Sequence, residues 1–64
     1  MINKGDLASQ LALYLAQHDI YYNELVTNTK NLTLKRLNEI LAKLAKYQAK
    51  METVQDLLRK YFNE

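Results

Sequence analysis

Apolar positions recur along most of this chain at alternating steps of four and three. In the first half the stripe runs through Leu7, Leu11, Tyr14, His18, Tyr21 and Leu25, with His18 its one polar member and Ala8, Leu15, Tyr22 and Val26 widening it. In the second half Leu37, Ile40, Leu44, Tyr47, Met51, Val54, Leu58 and Tyr61 keep a seven-residue repeat over four heptads. Both patterns match the turn of an α-helix with one apolar face. Between them lies Thr27-Asn28-Thr29-Lys30-Asn31. Short polar side chains of this kind hydrogen-bond to nearby backbone and favour turns and caps.

The pattern predicts an all-α fold: a single domain forming an antiparallel two-helix hairpin. Helix 1 is expected over about 6–27, the turn over 28–31 and helix 2 over about 32–62. Helix 1 has two candidate caps, Asn3 and Asp6, and the first sets Ile2 against Leu7 as a hydrophobic staple. Helix 2 has Asn31 or Thr33. The triplet Asn31-Leu32-Thr33 also fits a glycosylation acceptor, but its place at a helix start reads as capping. There is no proline and only one glycine, Gly5, so strand and hairpin signals are missing.

A strict seven-residue repeat drifts by about 20° per heptad on a straight helix, so the second half asks for a supercoiled helical neighbour. At about 1.5 Å per residue, helix 2 spans about 45 Å and helix 1 about 30 Å. A hairpin of those lengths leaves part of its long arm uncovered. The expectation is therefore a homodimer, with two hairpins forming a four-helix bundle. The oligomerisation seam is assigned to Leu11, Tyr14, His18 and Leu25 with Leu37, Ile40, Leu44, Tyr47, Met51, Val54 and Leu58.

Size reinforces this picture. A single core in 64 residues is marginal unless disulfides, metal or association help. The chain has no cysteine, which removes disulfides and thiolate metal sites and leaves association. Its 48% apolar and 25% charged residues fit a chain that folds in water, with no transmembrane segment. The opening Met-Ile-Asn-Lys-Gly-Asp has no continuous apolar run. That reads as lacking a secretory signal, with a cytoplasmic location as the default expectation.

One stretch, His18-Asp19-Ile20-Tyr21-Tyr22-Asn23-Glu24-Leu25, looks like a small chemical site. On a helix it separates: His18 faces Tyr14, Tyr21, Tyr22 and Leu25, while Asp19 and Glu24 project to the polar side. One imidazole with no second ligand at i+4 makes no zinc site, and Ser9 is too far along the helix to pair with it as a nucleophile. No catalytic residue, metal ligand or cofactor is assigned, and the chain is read as non-enzymatic. The stretch is instead an aromatic packing seam. Five tyrosines, each with an apolar ring and a polar tip, suit an interaction surface. On the back of helix 1, Leu13 and Ile20 lie together with Ala16 between them, and Leu57 is similarly placed off the stripe of helix 2.

Charge is uneven. Residues 30–50 carry six Lys or Arg against one acid, Glu39, in a chain of net charge +2. Arg36, Lys43, Lys46 and Lys50 fall within one arc of helix 2 and form a strip that an anionic partner would recognise. Asp19 and Glu24 of helix 1 are alternative partners for it. The function expected from all this is a small helical interaction or regulatory protein that self-associates and binds a protein partner. The alternative is a nucleic-acid-binding regulator that uses the basic strip.

Overall fold

A computed structural model describes residues 3–62. Helix α1 spans Lys4–Thr27, a short 3-10 turn covers Thr29–Asn31, and helix α2 spans Leu34–Phe62. The two helices pack against each other as an antiparallel hairpin 44 Å long and 18 Å by 14 Å in section. Its radius of gyration is 14.5 Å, against about 11 Å for a compact chain of this length. The all-helical hairpin expected from the pattern is present.

The ends of the helices follow from local chemistry. Asn3 caps α1 in an extended conformation, and its side-chain oxygen accepts the Gly5 N–H at 2.7 Å. A Cβ on Gly5 would stand 3.2 Å from that same oxygen, so the glycine leaves the cap room. Asp6 in the first turn sits at the positive end of the helix dipole. The helix thus begins two residues before Asp6. The proposed staple through Ile2 lies outside the described residues.

At the other end, threonine hydroxyls bond back to carbonyls of the last turns, and Thr29 reaches two that have run out of helical partners. Thr27 Oγ1 donates to Asn23 O at 2.6 Å, and Thr29 Oγ1 donates to Leu25 O and to Val26 O. Asn28 N–H closes the last turn onto Glu24 O at 3.0 Å, and Asn31 N–H returns to Asn28 O at 2.9 Å. Thr33 then starts α2, its hydroxyl accepting the Arg36 N–H at 3.1 Å. Arg59 and Lys60 place positive charge in the last turn of α2, where the dipole favours it.

Starting at Lys4 gives α1 24 residues and a length of about 36 Å. Lys4 therefore lies beside Leu58, Arg59 and Phe62 around one shallow hollow at the terminal end. Helix α1, five residues shorter than α2, reaches the level of Leu58 and Phe62 at that end. What remains bare is the sides, because a two-helix hairpin has only one line of contact. Among the described residues, only Leu7, Ile40 and Val54 are buried. Leu11, Tyr14, His18, Tyr21 and Leu25 of α1 are half-buried, as are Leu37, Leu44, Tyr47, Met51 and Leu58 of α2.

The heptad leaves the contact line of the hairpin at its last position. Tyr61 is 52% exposed, and Phe62 is the half-buried residue there. Four heptads at about 20° of drift each carry a strict seven-residue repeat off the contact line of a nearly straight helix. The next residue takes over. Ile40→Ala is expected to cost about 2–5 kcal/mol through the cavity it leaves, and Tyr61→Ala no more than about 0.5 kcal/mol. Urea unfolding followed by circular dichroism would measure both, and equal costs would contradict this register.

Candidate interaction surfaces

Three contacts orient the two sides of the hairpin. Arg36 of α2 grips Glu24 of α1 with both arms, Nε to Oε2 and Nη2 to Oε1, each at 2.7 Å. Its remaining nitrogen, Nη1, donates to Glu39 Oε2 at 3.2 Å. Tyr47 of α2 lies between two tyrosines of α1 set two turns apart, with ring centroids 6.4 Å from Tyr14 and 6.0 Å from Tyr21. Lys50 Nζ then sits 5.3 Å from the centre of the Tyr14 ring, and Lys46 Nζ 5.8 Å from that of Tyr47. Glu24, Tyr14 and Tyr21 therefore share one side of the hairpin with the basic arc of α2.

The fork between Arg36 and Glu24 is a strong polar contact across the hairpin, since paired charged hydrogen bonds with this geometry are shorter and stronger than neutral ones. The Arg36 hydrogen bonds hold the Glu24 carboxyl below the ordinary glutamate range, with partial burial opposing them and the guanidinium charge adding to them. The same bonds, to Glu24 first and Glu39 second, raise Arg36. Of the four residues in the basic strip, Arg36 is thus already matched by carboxylates, while Lys43, Lys46 and Lys50 are exposed.

At about 100° per residue, the flank of α1 opposite Glu24 carries Leu15, Tyr22 and Val26. The flank of α2 that meets it carries Leu34 and Leu41. All five are exposed, from 48% at Leu41 to 73% at Leu34. The antiparallel register set by Arg36 with Glu24 brings Tyr22 close to the level of Leu41, and Val26 close to that of Leu37. With half-buried Leu37 and Leu44, they form one apolar side in the half of the hairpin near the turn. His18 stands at its edge. Its ring stacks on Tyr22 at 6.2 Å and 12°, and Asp19 Oδ1 turns back to within 3.5 Å of its Nδ1.

The residues assigned to the seam between copies, Leu11, Tyr14, His18, Leu25, Leu37, Ile40, Leu44, Tyr47, Met51, Val54 and Leu58, line the contact between α1 and α2 within one chain or its margins. The uncovered apolar side lies beside them. Leu34 and Leu41 lie one step off the heptad, but Leu34, Leu37, Leu41 and Leu44 carry a spacing of three and four that marks them as a second apolar stripe. Leu13 and Ile20 are exposed on the back of α1, at 56% and 65%. Among the described residues, no three His, Asp or Glu side chains gather as a group able to hold a metal ion, and no helix is long and apolar enough to cross a membrane. Comparison with protein-family models, curated proteins and solved structures returns no match for this chain.

Because the Glu24 carboxyl is depressed in the folded state, its contribution to stability is present above the unfolded glutamate range and is lost as pH falls through the folded value. Thermal melts between neutral pH and pH about 3 should therefore show the wild type losing more stability than Glu24→Gln, which starts lower and changes less. Parallel losses in the two chains would mean that the fork carries no net stability.

Proposed function

We propose that this chain is a small non-enzymatic interaction module that self-associates through the apolar side of its hairpin and presents its remaining surface, Tyr61 included, to a protein partner. The observation that carries this reading is the side formed by Leu15, Tyr22 and Val26 with Leu34 and Leu41, all exposed. Helical spacing puts all five on one flank, whereas apolar residues scattered singly over a surface need no explanation.

Surface area supports a second copy as the occupant. The chain exposes 4978 Å², against about 4,200 Å² for a folded monomer of this size. The surplus of about 780 Å² is close to the roughly 800 Å² that each partner contributes to a standard interface. Two hairpins packed leucine side to leucine side give a four-helix bundle with a self-complementary two-fold contact. Such a pairing supplies the core that three buried residues cannot supply alone. Ala8 and Ala12, on the same flank of α1 nearer the termini, let the neighbouring backbone come close along the rest of the length.

Sedimentation equilibrium tests this directly. The wild type should sediment as two chains at micromolar concentration. Leu41→Glu, which puts a charge at the centre of the apolar side without touching the contact between α1 and α2, should sediment as one chain and keep most of its helix signal. A wild type that stays monomeric under those conditions would refute the self-association reading.

A further inference from the structure

On the opposite side from the leucines, Lys43, Lys46 and Lys50 rise along about 10 Å of α2, and all three are exposed. The ion pairs among the described residues engage Arg36, Arg59 and His18, and none reaches these three lysines. The acids of α2 do not help them: Glu39 is taken by Arg36, and Glu52 and Asp56 project from the other half of the helix. Like charges three and four residues apart on a helix repel. Within the hairpin the carboxylates leave this cluster unmatched, and only the tyrosine rings beside Lys46 and Lys50 offset its repulsion.

The lysines are also positioned. Lys50 and Lys46 lie over the rings of Tyr14 and Tyr47, so their ammonium groups border the ladder Tyr14, Tyr47, Tyr21 in the groove between the helices. Lys35 extends the positive arc towards the turn. A row of cations beside aromatic rings suits a phosphate chain, with rings at hand for the bases it carries. Pairing through the leucine side leaves this groove outward on both hairpins of a bundle.

From this we infer that the face of Lys43, Lys46 and Lys50 binds the phosphate backbone of a nucleic acid without regard to sequence. The inference does not require self-association. Binding uses Tyr14, Tyr21 and Tyr47 as the floor of the site and excludes Arg36, whose charge is already matched. Three phosphate contacts per chain predict a slope of log affinity against log salt of about −2 for a single strand and about −3 for duplex DNA, steeper if two chains act together.

The test is fluorescence anisotropy of labelled random single-stranded RNA and duplex DNA, from low to physiological salt, on the full chain. The wild type should bind in the micromolar range at low salt with at least the slopes given. The triple variant Lys43→Gln, Lys46→Gln, Lys50→Gln should lose at least ten-fold in affinity and flatten the slope. The corresponding triple Arg variant should retain binding, and Arg59→Gln should behave as wild type. The monomeric Leu41→Glu chain should still bind, which separates this result from the fate of the self-association reading. Absence of binding at low salt overturns the inference. So does undiminished binding by the triple Gln variant, or tighter binding to phosphatidylserine vesicles than to either nucleic acid.

Discussion

Each helix of a two-helix hairpin has one neighbour, and everything else in this structure follows from that limit. One line of contact can bury only the residues that point straight along it, here Leu7, Ile40 and Val54. Residues to either side are left half covered, whatever their chemistry. A broad apolar stripe therefore spills out on one flank, and a charged or aromatic margin does so on the other. The two flanks of this hairpin differ sharply, with leucines and a tyrosine on one and lysines and a carboxylate fork on the other.

The polar flank is organised by a small number of directional contacts. The fork from Arg36 to Glu24 joins the third residue of α2 to the last turn of α1, while the stack of Tyr14, Tyr47 and Tyr21 joins the middle of both helices. Together they fix the sliding position of one helix on the other. Leucine contacts alone specify this weakly, because a shift by a whole turn presents a similar surface. Polar and aromatic contacts thus supply register, and the apolar line supplies most of the burial.

The helices, the turn and the antiparallel pairing were legible in the sequence, because period and punctuation agree. Spacing of three and four marks both helices, and Asn3, Thr33 and the threonines at 27 and 29 have the side chains that end or begin helices. The seam was legible as a stripe but not as a contact. Periodicity shows which residues share a face and says nothing about how wide a face the neighbour covers. For that reason residues such as Leu44 and Met51 are half-buried, and Leu34 and Leu41, one step off the heptad, form an exposed stripe that the heptad does not mark. Arg36 shows a second limit: charge counted along the chain cannot tell a cation that is free from one whose carboxylate comes from 12 residues away.

The fork beside the turn also sets the order in which the hairpin comes apart. A short connection brings the last turn of α1 and the first of α2 together at little entropic cost, and Arg36 ties them there. Opening is easiest away from that tie, towards the end where Lys4 borders Leu58, Arg59 and Phe62. Fraying therefore runs from the ends towards the turn, and the half carrying Tyr22, Val26, Leu34 and Leu41 is the last to lose its shape. Segments at such ends open locally long before a domain unfolds as a whole. The leucine side remains a formed surface while the rest of the hairpin breathes.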